Sequence, residues 1–219
     1  MLWQRSISLA LVALAAGCAM PGDGSIPTPP AEQPVVAEKA AAGEVPTTGT
    51  SIPPMTDATL AAPEVVEAYN RGVFLLETGD QTGAESAFKQ FMARHPGYSG
   101  PHVNLAIIYQ AQGRLDEAQT AIDTALSLNP GSAPALNQQG ILHRRNGRFA
   151  DAEAAYLKAV TVSPEYPLAH LNLGILNELY LGRLAEALES YQTYQALTPD
   201  EDPNVARWIT DLTRRTARN

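Results

Sequence analysis

The chain has 219 residues, a net charge of −8, 45% hydrophobic side chains and a single cysteine. The acidic balance argues against nucleic acid as a partner, because binding to phosphates needs a basic footprint. One cysteine leaves no disulfide framework and little scope for thiol chemistry.

Residues 1–17 read as a leader. Arg5 gives a short positive start, and Ile7 to Ala16 is apolar but shorter than the roughly 20 residues that span a bilayer as a helix. Leu14-Ala15-Ala16-Gly17 then sets small residues before Cys18, which completes the three parts of a secretory signal peptide. Cleavage falls either before Cys18 or further on, for instance after Ala19, which would discard the cysteine. The run resembles a bacterial lipoprotein signal, with Ala15 standing where leucine is commonest. That resemblance implies that Cys18 becomes an acylated first residue, anchored far more firmly by three acyl chains than by one. Ala19 is not aspartate, and by the enteric rule its absence favours an outer-membrane lipoprotein facing the periplasm over the inner membrane.

Residues 18–60 have a different composition. Eight prolines (Pro21, Pro27, Pro29, Pro30, Pro34, Pro46, Pro53 and Pro54) are mixed with alanine, threonine and glycine, and no helical or strand period appears. A stretch so poor in large apolar residues does not offset its ordering entropy, so it is expected to be a disordered tether. Its r.m.s. span is about 35 Å, and polyproline II would extend it toward about 120 Å.

From residue 61 onward the pattern is periodic. Gly72, Ala106, Gly140 and Gly174 recur every 34 residues. Ala84, Ala118, Ala152 and Ala187 follow them, and Pro96, Pro130, Pro164 and Pro199 close each unit. A period of 34 belongs to a helix–turn–helix solenoid. Each unit reads as helix A, a turn glycine (Gly79, Gly113, Gly147 and Gly182) and helix B. Mid-helix glycine costs about 1 kcal/mol against alanine, so its return at one phase predicts close helix packing there, with the helix B alanines as the opposing surface. Phe88, Ile122, Tyr156 and Tyr191 are expected to fill the layer between units.

This set of positions resembles the tetratricopeptide repeat family over roughly residues 64–200. The resemblance implies an all-α, right-handed superhelical solenoid of four repeats, at about 65–98, 99–132, 133–166 and 167–201. Two departures stand out. Unit four has one extra residue around Tyr180 and Leu181, so its helix A should bulge or lengthen. The outer units carry Phe91 and Tyr194 where the middle units have Ala125 and Ala159, which suggests that the end units pack against something other than a full repeat. After Pro199, residues of about 203–215 place Val205, Trp208, Ile209 and Leu212 on one helical face. This segment is expected to be a capping helix; its rival reading is an interaction helix for a partner.

No catalytic constellation emerges. His95, His102, His143 and His170 lack the spacing of metal ligands and read as packing or loop histidines. Glu85, Glu117, Glu153 and Glu186 read as a solvated helix face rather than paired acid–base groups. Phosphate loops and nucleophile elbows are absent from the sequence, and neither cofactor, metal nor small-molecule substrate is implied.

The family resemblance instead directs attention to the concave face lined by helices A. Carried over by position, it places Tyr69, Val73 and Leu76 there in unit one, and Val103, Ile107 and Gln110 in unit two. Unit three contributes Asn137, Ile141, Arg144 and Arg145, and unit four Leu171, Ile175 and Glu178. Tyr69 and Val73 occupy places where some relatives clamp a carboxylate, so that clamp is missing. An aliphatic floor beside an arginine pair suits an apolar helix or extended segment bearing an acidic group. Val73, Ile107, Ile141 and Ile175 could equally pack between adjacent helices A. The implied function is a membrane-anchored periplasmic scaffold for other envelope proteins or peptide segments. Accessory work for a peptidoglycan-modifying or pilus/secretin machine, or an oligomerising spacer role, are the alternatives.

Overall fold

Pro63 opens the first helix at a position where its missing N–H costs nothing. From there the computed structural model describes residues 62–198 and 202–218. Cys18, the proline-rich segment and Pro199 lie outside the described residues. The repeats pair α1 (Pro63–Glu77) with α2 (Gln81–Arg94), and α3 (Ser99–Ala111) with α4 (Leu115–Leu128). They continue with α5 (Ala133–Arg145) and α6 (Phe149–Val162), then α7 (Pro167–Leu176) and α8 (Leu184–Leu197). A last helix, α9 (Pro203–Thr216), follows.

Local chemistry sets the boundaries. Asp80 caps α2 by accepting from the Gly83 N–H at 2.8 Å, and Asp202 caps α9 from the Asn204 N–H at 2.9 Å. The A–B turns need a left-handed residue, and all four turn glycines take it, from Gly182 at φ 67° to Gly79 at φ 85°. Pro96, Pro130 and Pro164 stand two residues beyond the ends of α2, α4 and α6, where a helix could not continue through them.

The packing within each unit corrects one expectation. The mid-helix glycines face aromatic rings of helix B, not the helix B alanines. A Cβ built on Gly72 would meet the Phe88 ring at 2.6 Å, and one on Gly174 the Tyr191 ring at 2.5 Å; Gly140 has the same relation to Tyr156. Unit two alone carries a Cβ here, on Ala106, and its counterpart is the slimmer Ile122. The absent methyl therefore makes room for a flat ring. All four helix B residues are fully buried, as are Ala84, Ala118, Ala152 and Ala187.

The two larger helix B residues have different settings: Tyr194 packs against something other than a full repeat, as expected, whereas Phe91 packs toward the full repeat of unit two. Phe91 sits edge-on to Tyr69 and Tyr98, with centroids at 5.8 and 5.6 Å, filling the junction of units one and two. Tyr194 joins a buried cluster with Val205 and Leu212 of α9, and Trp208 lies 5.4 Å from the Tyr191 ring. Helix α9 thus caps unit four. The extra residue of unit four becomes a π-helical turn, Asn177–Leu181, directly after α7. It carries the Tyr180 ring to 4.8 Å from Phe149 in unit three.

Candidate functional site: the face of helices A

One residue from each of units one to three forms a partly exposed aliphatic row: Val73 on α1, Ile107 on α3 and Ile141 on α5. Their spacing of 34 residues puts them at one phase of successive parallel helices. Each also packs at its base on the buried core beneath it. Arg145, exposed at the end of α5, borders the row and donates from Nη1 to the Gln110 carbonyl at 2.6 Å. The same carbonyl, in the last turn of α3, also accepts from the Gly113 N–H at 3.2 Å, so the arginine adds a second donor there and is held at the junction of units two and three.

The other expected groove residues lie deeper. Tyr69, Val103, Asn137, Arg144, Leu171 and Ile175 are all buried. Leu171 and Ile175 share their cluster with Val205 and Leu212, so the capping helix covers the face of unit four. Arg144 is not half of an open cationic pair. Its guanidinium stands 5.6 Å from the Tyr180 ring centroid, and Nη1 donates to the Tyr180 hydroxyl at 3.3 Å. Tyr69 accepts from Asn104 Nδ2 at 2.9 Å, and burial pushes its hydroxyl up to about 12.

A polar seam beneath the row escaped the sequence reading. Asn172 donates to Asn137 at 3.0 Å, with the same 35-residue offset as Asn104 to Tyr69. Between them Gln110 donates to Gln138 at 3.0 Å, since the residue 35 places before Gln138 is Val103, which has no polar atom. Asn70, Asn104, Gln138 and Asn172 recur every 34 residues, so the signal was present in the same period as the glycines. A buried amide left unmatched costs about 1–3 kcal/mol, so the seam penalises any slip of one repeat against the next.

The helix B carboxylates are also less idle than a solvated face. Glu85 pairs with Arg114 of the next repeat at 2.8 Å and with Lys89 at 2.6 Å, and Glu153 pairs with Arg183 of the next repeat. Arg114, then Lys89, hold the Glu85 carboxyl down to about 2. The Arg114 guanidinium also stacks 4.2 Å from the Tyr109 ring. These groups clasp neighbouring repeats. Burial lowers the His102 and His143 pKa values; His170 lies 2.8 Å from the Pro164 carbonyl, and His95 5.0 Å from the Phe91 ring. Among the described residues no group of three or more potential ligands is placed to hold a metal, and no helix is long and apolar enough to cross a membrane.

The geometry is that of a helical-repeat scaffold, and comparison with known proteins gives it a family. The tetratricopeptide repeat model matches residues 103–167 and 137–202. Residues 103–202 of the chain are thus tetratricopeptide repeats, and the fold of the described body is that family's all-α superhelix. Similar solved structures include pilF of Pseudomonas aeruginosa, 25% identical over 71% of this chain and 70% of that one, with a TM-score of 0.62. A thermophilic protein of the same family, TTC0263 of Thermus thermophilus, is 24% identical over 69% and 82%, with a TM-score of 0.60. MamA from Desulfovibrio magneticus RS-1 is 18% identical over 72% and 88%, with a TM-score of 0.54. A search of curated proteins returns no significant match. The fold is that of a protein–protein interaction scaffold.

Proposed function

We propose that the protein is a non-catalytic, membrane-anchored adaptor that captures other envelope proteins on the face of its helices A. The observation carrying this reading is the row Val73, Ile107 and Ile141, partly exposed once in each of units one to three and bordered by the Arg145 cation. Aliphatic side chains in register at the repeat spacing suit an amphipathic helix or an extended segment, and Arg145 favours one that carries a carboxylate. With unit four closed by α9, the usable face spans units one to three.

Ile107→Asp combined with Ile141→Asp should lower partner capture at least tenfold while the helical circular dichroism stays within error of wild type. Undiminished capture by the folded double variant would move the binding surface elsewhere. Arg145→Glu should act in the same direction more weakly, because a rim charge contributes less than a buried anchor.

Anchoring rests on Cys18. Membrane attachment is expected to be lost in Cys18→Ala, with the protein recovered in the soluble periplasmic fraction. A variant that still sediments with membranes would remove lipidation from this reading. Assignment to the outer membrane follows only from Ala19 and belongs to the same proposal.

A further inference from the structure

Phe74 is 62% exposed, yet the residues 34, 68 and 102 places later, Ile108, Leu142 and Leu176, are each at most 1% exposed. The position is thus a stacking position, covered wherever a preceding repeat exists. The same helix face changes character in unit one. Glu67 stands where Pro101, Ala135 and Ala169 are buried, and Arg71 where Leu105 and Leu173 are buried. A purely solvent-facing end would also have replaced Phe74 with a polar residue. Phe74 itself lines an open pocket of about 760 Å³ between α1 and α2, with Ala68, Leu75, Ala87 and Phe91 in its lining and Glu64, Glu67, Arg71, Asp80 and Arg94 around them.

We infer that this end of the solenoid is a self-association face and that its occupant is a second copy of this chain, related by a two-fold axis. Charge complementarity identifies the occupant. Besides Asp80, which is engaged as the cap of α2, the face carries two acids and two arginines, and no ion pair among the described residues involves Glu64, Glu67, Arg71 or Arg94. Apart from Asp80, whose carboxylate faces the N-terminus of α2, these charges balance on an acidic protein, which lessens the repulsion that two copies would meet elsewhere. Glu67 and Arg71 lie one turn apart on the same side of α1. Antiparallel apposition of two α1 helices about an axis level with Tyr69 sets each Glu67 opposite Arg71 of the other copy, forming both pairs at once. The same axis carries Phe74 over the first turn of the opposite α1, at the end of the pocket lined by Ala68, Phe91 and Arg94. An aromatic anchor in a pocket ringed by matched charges is the usual core of an interface, and a two-fold arrangement uses both copies of the face and closes.

Sedimentation velocity on the full chain carrying Cys18→Ala tests this without any contribution from an acyl group, and the Phe74 and charge variants leave the Ile107–Ile141 row unchanged. Twice the single-chain mass is expected at the upper concentrations. Phe74→Glu should weaken association by about thirtyfold or more. Glu67→Arg alone should also weaken it, by opposing like charges, while Glu67→Arg with Arg71→Glu restores it. All of these residues are exposed, so circular dichroism should be unchanged. Single-chain mass at every concentration would overturn the proposal and leave the face to preceding residues of the same chain or to a different protein. A dimer indifferent to Phe74→Glu, or no recovery in the charge-swapped double variant, would overturn it equally.

Discussion

Gly140→Ala should destabilise the protein by about 2 kcal/mol, although alanine is the better helix former by about 1 kcal/mol. The new Cβ would lie 2.6 Å from Tyr156 Cδ1, and the ring is fully buried, so it has no free space to enter. Overpacking of this kind costs about 1–3 kcal/mol or more, which outweighs the propensity gain. A fall in melting temperature of about 5 °C is the corresponding thermal signature. Unit two shows how the clash is relieved, since Ala106 coexists there with Ile122. Gly140→Ala with Tyr156→Ile should therefore be more stable than the sum of the two single changes by about 1–2 kcal/mol. Thermal denaturation of the four variants measures this coupling. A Gly140→Ala protein more stable than wild type would show that propensity governs and that the ring contact is slack.

Tyr191→Ala should cost about 4 kcal/mol, the expected loss for a fully buried aromatic side chain. Three contacts disappear together. The ring covers Gly174, faces Trp208 of the cap at 5.4 Å, and its hydroxyl donates to Glu178 Oε2 at 3.1 Å. Glu178 in turn accepts from Arg215 at 3.1 Å, so the loss spreads into α9. Each repeat touches only its neighbours, and the damage should be local. Hydrogen exchange should accelerate in α7, α8 and α9 and remain near wild type in α1 to α4. Uniform acceleration along the body would contradict this. Burial first, then the neighbouring Glu178 carboxylate, raises the Tyr191 hydroxyl well above its ordinary value of 10.0. Its contribution to stability is complete below that value and is lost as pH rises past it, because the unfolded chain then releases the proton and the folded one resists. The C-terminal repeats should accordingly open first in alkali.

Much of this architecture could be read from spacing alone. The 34-residue period placed the turn glycines and the helix B rings, and helical spacing placed the capping face of Val205, Trp208, Ile209 and Leu212. Small residues declare that something approaches closely, but not what, which is why the rings over Gly72, Gly140 and Gly174 went unforeseen. Helix phase likewise tells which side of helix A a residue occupies, not what lies over it. Leu171 and Ile175 have the phase of groove residues and are covered by α9; Arg144 has the same phase and turns inward to Tyr180, which the π-helical turn supplies. One extra residue was visible in unit four, whereas its consequence for Arg144 required the fold. The amide seam could have been found, since Asn70, Asn104, Gln138 and Asn172 keep the period; exposed and buried amides look alike in sequence.

The proposed capture of partners on the face of helices A predicts crosslinks from that face and not from the outer surface of helices B. Site-specific photocrosslinking in cells addresses it directly, with the photoreactive residue placed at Ile141 in one strain and at Leu157 on α6, 45% exposed, in another. Crosslinked adducts of defined mass from position 141, absent from position 157 and abolished by Ile107→Asp, are the expected result. Adducts from position 157 with none from position 141 would contradict it.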